Sequence, residues 1–322
     1  MRAIRQHEFG PAGVLRWEEV PDPRPAGGQV AVEVRAAGVH LLDTSLRRGE
    51  DGGPFRLPEL PMTPGREVAG VVVGLGDGVD GRWAGKRVVA HLGAAHGGYA
   101  ELAVADAASL HELPDHVSDD AAVAMVGTGR TAIGVLRVAA PTADDVVLVP
   151  AAAGGLGALF VQGAKAVGAR VVGAASTAKV DLVRGLGADL VVDYTDDGWA
   201  DEVRAAVGEV TAVLDGVGGA RGRQALELLG VGGRIVLFGW SSGEPTRIGT
   251  ADLYARGLTA SVALGPRMLR TMSLRELEEE ALLALSTGRL TPVTTVFPLV
   301  DAAEAHTALE NRATTGKVVL KP

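Results

Sequence analysis

From Val30 the residues run Val-Ala-Val-Glu-Val-Arg35, alternating apolar and polar as a strand with one buried face does. Residues 68–73, 87–90 and 100–104 are further short β-prone runs. Pro21-Asp-Pro-Arg-Pro25 and the glycine-rich segment 74–81 punctuate them as turns. Many short strands with frequent turns predict a distorted barrel or sandwich up to about residue 118.

Beyond Ser118 the pattern changes. Residues 121–139, rich in Ala and Val, predict a helix broken in two at Gly127 and Gly129. Strands and helices then alternate. Strands are predicted at 146–149, 170–174, 190–192, 212–214, 234–238 and 258–264, with helices at 156–167, 178–186, 199–207 and 222–229. Continuous apolar strands joined by helices imply a parallel sheet covered on both faces. Right-handed crossovers then favour a doubly wound Rossmann arrangement over 119–264. In the last stretch, 265–322, Ser273-Leu-Arg-Glu276 has the form of a capping box opening a helix to about residue 285. Strands at 297–300 and 317–320 flank a helix at 302–310. So short a stretch would struggle to fold alone, which predicts that it returns to complete the first domain.

The first predicted parallel strand leads into Pro150-Ala-Ala-Ala-Gly-Gly-Leu-Gly157, which opens a helix. Against the dinucleotide fingerprint, Ala152 takes the first glycine position, Gly154 the second and Gly157 the third. The second lets backbone approach a pyrophosphate, and the third lets the helix pack on the sheet. The helix N-terminus adds its unpaired N–H groups, so Ala153, Gly154, Gly155, Leu156 and Gly157 are candidate phosphate contacts. The bland alternative is a tight strand-to-helix turn with no ligand. NAD-selective sites place an acid about 20 residues on, at the end of the second strand, to hold the ribose hydroxyls. Here that strand ends Gly173-Ala-Ala-Ser-Thr-Ala-Lys179, with no carboxylate. Ser176 and Lys179 offer a hydroxyl and a cation, which suit a 2′-phosphate. Alternatively Ser176 caps the helix and Lys179 is solvated. The missing acid points to NADPH in either case.

Composition narrows the function classes. The 322 residues suffice for two domains, and aromatics at 4% leave the cores to Val, Leu, Ile and Ala. A net charge of -8 argues against nucleic acid or an anionic membrane as partner. With no cysteine, Cys-ligated zinc, iron–sulfur clusters, disulfides and thiol nucleophiles are excluded. The first residues lack an apolar signal region, and no run approaches the roughly 20 apolar residues of a membrane helix. A cytoplasmic protein is expected.

Taken together, the chain resembles the zinc-independent quinone oxidoreductase branch, zeta-crystallin-like, of the medium-chain dehydrogenases/reductases. The resemblance rests on Gly38-Val-His-Leu-Leu-Asp43, Thr63-Pro-Gly-Arg-Glu-Val-Ala-Gly70, Gly97-Gly-Tyr-Ala-Glu101 and Gly129-Arg-Thr-Ala132. It continues through the glycine turn, Gly185-Leu-Gly-Ala-Asp189, Gly232-Gly-Arg-Ile-Val-Leu-Phe-Gly239 and Arg312-Ala-Thr-Thr-Gly-Lys-Val-Val-Leu320. It implies a GroES-like catalytic domain beside the Rossmann domain. It also implies reduction of a quinone or an α,β-unsaturated carbonyl by hydride from NADPH, and a homodimer or homotetramer. By the same resemblance Ser176, Lys179, Tyr194 and Arg312 grip the adenosine phosphate end. Thr131, Phe238, Gly239 and Ser241 lie toward the nicotinamide. Residues 258–264 are the candidate edge for subunit pairing.

His40, Asp43 and Ser45 are the candidate catalytic residues, with Glu67 in a neighbouring motif. Asp43 and Glu67 serve equally well as turn and interdomain hydrogen-bond partners. His40 and Ser45 depart from the Asn and Tyr usual in the family. His40 either donates a proton to the acceptor or only shapes the pocket. His91 and His96 are read as loop residues, and no metal site is expected. Two other functions fit the pattern: an enoyl-thioester or trans-acting polyketide reductase, and a low-turnover NADPH-binding structural or sensing protein.

Overall fold

The computed structural model describes residues 1–50 and 56–322. It divides into two compact units, one of residues Met1–Thr128 with Glu278–Pro322, the other Gly129–Leu277. The sequence reading put the breaks near 118 and 264. Two local packings account for the difference. Ala122, Val123 and Val126 cluster with Ala36, Ala69 and Val89 of the first unit. Met268 and Leu277 lie against Gly134 of the second.

The second unit is built on a six-stranded sheet. Its spatial order is Leu190–Asp193, Arg170–Ala175, Val146–Val149, Val210–Asp215, Leu229–Leu237 and Thr259–Val262. Every pairing is parallel. Successive side chains of a strand point to opposite faces, so the unbroken burial along Val171–Ala175 requires cover on both. Helices Gly155–Ala166 and Trp199–Val207 lie among the covering elements. Trp199 sits in a core with Leu148, Val172, Leu226 and Ile235, its indole N–H held by Gln224 Oε1 at 2.9 Å. Strand order reverses beside Val146–Val149, the switch point at which ligands settle outside the carboxyl ends of such strands. Thr259–Val262 forms a free edge of the sheet, with Val262 58% exposed.

In the first unit a sheet runs Thr294–Pro298, Lys317–Lys321, Gln29–Val39, Glu67–Leu75, Arg87–His91 and Leu110–Glu112, and Leu102–Asp106 also pairs with Gln29–Val39. The C-terminal strand enters it antiparallel, Val319 opposite Gly38 and Leu320 opposite Ala37. Val30, Val32, Val68, Val88, Leu110 and Leu320 share one core. Helix Leu41–Arg48 follows the long strand, and His40 stands at its N-cap.

Four predictions need correction. One is the strand expected at 297–300, which runs Thr294–Pro298 and gives way to a 3₁₀ turn over Leu299–Asp301. The helix expected to break at Gly127 and Gly129 continues through them, because a π-turn over Met125–Gly129 joins Asp119–Ala124 to Arg130–Ala139. Gly127 is there for a close approach: a Cβ at this position would overlap the Glu67 carboxylate. The resulting 21-residue span, Asp119–Ala139, is long and apolar enough to cross a membrane by length and composition, against the expectation that no run is. Of its most apolar window, 67% is buried inside the protein, as in a core helix. Finally, the helix expected at 222–229 spans Gly219–Glu227, and Leu229 already begins the next strand.

Candidate functional site

In the first unit the chemistry gathers around a buried carboxylate. Glu67 begins its strand with a side chain 0% exposed. Gly38 gives it room just as Gly127 does, since a Cβ there would also meet the carboxylate. His40 Nε2 lies 2.5 Å from Glu67 Oε1, and Lys317 Nζ lies 2.8 Å from Oε2. The two cation-forming groups also touch each other, Nζ to Nε2 at 2.9 Å. Burial opposes the charge on Glu67, but His40 and Lys317 outweigh it and hold the carboxyl well below its usual range. Burial pushes the Lys317 ammonium below its ordinary value, while Glu67 pulls it back up. His40 alone of the three keeps an outlet, its side chain 24% exposed.

Asp43 belongs to a second, adjoining network. Its Oδ2 accepts the His40 backbone N–H at 2.8 Å and the Tyr99 hydroxyl at 3.3 Å, while Oδ1 faces Arg66 Nε at 3.5 Å. Tyr99 continues to His306 Nε2 at 3.2 Å, and His306 Nδ1 to Arg47 at 3.3 Å. Arg47 ends the chain on Glu310 at 2.7 Å. Burial, then Asp43, pushes the Tyr99 phenol well above its usual value, and burial brings His306 down to about 4. With these partners Asp43 anchors the start of the His40 helix. Ser45, half-buried on the same helix, accepts from Arg48 at 3.3 Å, toward the far end of the helix from His40.

In the second unit the carboxyl ends of four strands collect the predicted cofactor residues other than Thr131 and Arg312. Ala151 takes a left-handed backbone with φ 52°, and Ala152 N–H donates to Ala174 O at 2.9 Å, tying the turn to the neighbouring strand. A Cβ at Gly157 would overlap Ala151 O, the close approach expected of the third fingerprint glycine. A Cβ at Gly154 would meet only Ala151 O, at 3.2 Å, so the space before this N-cap is open. Ser176 follows the second strand, and its side chain makes no capping hydrogen bond to the turn Thr177–Lys179. Tyr194 N–H bonds Ala175 O at 3.1 Å. Asp193, opposite Ala175 in register, is an acid on the adjacent strand. Hydrogen bonds from Thr177 and then Thr195 hold it below the usual carboxylate range.

Phe238 stacks edge-on to Phe160, centroids 5.1 Å apart, and covers Gly216, whose carbonyl takes the Ser241 N–H at 2.9 Å. Gly239 lies beside the same glycine, where a Cβ would stand 3.5 Å from Gly216 O. Thr131 is half-buried in helix Arg130–Ala139. Arg312 belongs to the first unit, in a left-handed turn of φ 56° after helix Ala302–Glu310. Among the described residues no group of three His, Asp or Glu is arranged to hold a metal ion.

Residues 26–115 match the family of the alcohol dehydrogenase GroES-like domain, and 155–282 that of the zinc-binding dehydrogenase. A quinone oxidoreductase of Sus scrofa is 32% identical over 328 residues, 99% of this chain and 97% of that one. The chain belongs to the quinone oxidoreductase family. Within the medium-chain dehydrogenases/reductases, its fold is close to that of an Escherichia coli quinone oxidoreductase complexed with NADPH, with TM-score 0.87 and 31% identity over 100% of both chains. A structure described as an NAD-dependent alcohol dehydrogenase gives TM-score 0.89 and 32% identity, also over 100% of both.

For this quinone oxidoreductase family member, sequence reasoning missed Lys317, Tyr99 and His306. Lys317 opens the strand predicted at 317–320, and a lysine at the head of Lys-Val-Val-Leu320 was the available signal. Such a run buries both faces, so a lysine within it needs a buried acid.

Proposed function

We propose that the chain is an NADPH-dependent reductase that passes hydride, without a metal, to a quinone or an α,β-unsaturated carbonyl compound. The observation that carries the reading is the end of the second parallel strand. Ser176 stands there with its side chain outside any helix cap, where an NAD-selective site would place an acid.

The residues present fit the cofactor. The open space before Gly154 admits a pyrophosphate to the N-terminus of the helix Gly155–Ala166. Residues 153–157 would hold it. Ser176, Lys179 and Tyr194 would take the adenosine phosphate end, with Thr131, Phe238, Gly239 and Ser241 toward the nicotinamide. NADPH supplies the hydride when bound.

The chain's own part is to orient the acceptor and manage one proton. Glu67 engages Nε2 of His40, which leaves Nδ1 as the nitrogen that exchanges a proton with an acceptor oxygen. Asp43 fixes the backbone at His40, and Ser45 supports Arg48. The absence of cysteine rules out a cysteine-ligated catalytic zinc. A homodimer or homotetramer paired along the Thr259–Val262 edge, working in the cytoplasm, completes the reading.

The test is a steady-state assay of NADPH absorbance with 1,4-benzoquinone, naphthoquinones and simple enones. Oxidation that needs both acceptor and protein is expected. No oxidation with any acceptor would overturn the reading.

A further inference from the structure

A cleft of about 620 Å³ lies wholly within the first unit. Its walls are apolar, with Leu46, Leu57 and Met62 among them, but Arg56, Arg66 and His96 also line it. That volume suits one small molecule. Arg66 is only 5% exposed, a buried cation facing a cavity, while Arg56 stands on the exposed rim. Two arginines and one acid, Glu59, line the cleft. Asp43 stands behind Arg66 at 3.5 Å, so the cationic donors face the cavity while the compensating buried acid lies outside its lining.

His96 is the strained point. It takes a left-handed backbone, φ 58°, with Gly97 beside it at 100°. Its Nδ1 is buried without a hydrogen-bond partner among the described residues. A non-glycine residue kept in that conformation with a buried polar atom left over is a common mark of a binding site. Burial, then Arg66, keeps the ring neutral at pH 7, so Nδ1–H is available to donate in one tautomer. The cleft also adjoins the reactive end of the unit. Leu46 belongs to the helix capped by His40, and Arg66 faces the Asp43 carboxylate that holds the His40 backbone.

We infer that this cleft binds the carboxylate of a small unsaturated acid, gripped by Arg66 and Arg56 with His96 as third donor and the hydrocarbon on the apolar wall. The inference deepens the proposed reductase reading and rests on it for one point, that the bound acid is the hydride acceptor. In that reaction hydride goes to the β-carbon and a proton to the α-carbon. The carbon–carbon double bond becomes single, and NADPH is oxidised to NADP⁺. The guanidinium beside the carboxylate stabilises the negative charge that collects on it.

Calorimetric titration of the cofactor-free protein with trans-cinnamate and with its methyl ester tests the site without turnover. The acid is expected to bind ten- to hundredfold more tightly, the range of a lost charge-assisted hydrogen bond. Arg66→Gln and Arg56→Ala should each remove most of that advantage while leaving the ester unaffected, with Arg66→Lys keeping part of it. If Arg66→Gln fails to fold, the rim variant Arg56→Ala and the loss of acid binding in high salt decide. Equal binding of acid and ester, or acid binding untouched in folded Arg56→Ala, overturns the inference. Benzoquinone turnover beside an acid that does not bind defeats the inference and spares the reductase reading. Arginine-dependent acid binding with no NADPH oxidation by any acceptor supports the site and defeats that reading.

Discussion

The ammonium of Lys317 lies 2.8 Å from Glu67 Oε2, with the two side chains 4% and 0% exposed. Neither charge has access to bulk water, so each depends on the other. Removing one partner of a buried pair leaves an uncompensated charge, at a cost of about 3–5 kcal/mol. Lys317→Met is therefore expected to lower stability by about that much in urea denaturation. Adding Glu67→Gln should restore part of the loss. A single variant as stable as the parent would show that His40, 2.5 Å from Glu67 Oε1, compensates the carboxylate without Lys317.

His40 is the member of this cluster open to a ligand, so its removal separates proton donation from pocket shape. His40→Ala is expected to lower kcat by about a hundredfold, the low end of general-acid contributions. His40→Asn, which keeps polarity without a transferable proton, should do the same. A change confined to KM in both variants would leave His40 as a shaping residue only.

Two glycines in one turn should fail in different ways. A Cβ at Gly157 overlaps the Ala151 carbonyl, so Gly157→Ala should cost about 1–3 kcal/mol of stability from overpacking. At Gly154 the Cβ meets only that carbonyl, at 3.2 Å, so Gly154→Ala should cost under about 1 kcal/mol. Its methyl would occupy the space proposed for pyrophosphate, and NADPH affinity should fall by more than tenfold. Paired thermal melts and NADPH titrations read both effects. Unchanged affinity in Gly154→Ala would move the phosphate elsewhere.

The parallel strands were legible because burial on both faces writes continuous apolar runs. The helix Trp199–Val207 was legible from its own period. Helix Leu41–Arg48 was not, since its residues lay in a stretch dominated by strand patterns and carry five polar or charged side chains among eight residues. In the site, the phosphate turn is local in sequence and could be read residue by residue. The Glu67 cluster could not, because His40 and Lys317 are 277 positions apart and meet only through pairing of the first and last thirds of the chain. His40 was singled out without its partners, and Gly127 was taken for a helix breaker when it makes room for the carboxylate.

His306 makes stability depend on pH in a defined window. Burial lowers its pKa from 6.5 to about 4, with Asp43, Arg47, Glu310 and Arg48 as its charged surroundings. Below pH 6.5 the unfolded chain takes up a proton that the folded chain refuses, so stability is full above 6.5 and falls toward pH 4. The shift corresponds to about 3 kcal/mol over that window. His306→Gln should flatten this part of the profile in melts from pH 7.5 to 4. A parent-like slope in the variant would assign the acid sensitivity to other groups.

In the proposed reductase, the turn at 151–157 and the acid-free end of the following strand select NADPH. Calorimetric titration of the same protein with NADPH and with NADH measures that selection directly. NADPH is expected to bind at least tenfold tighter, a difference of about 1.4 kcal/mol that narrows in Lys179→Ala. Equal affinity for the two cofactors, or tighter binding of NADH, would contradict it.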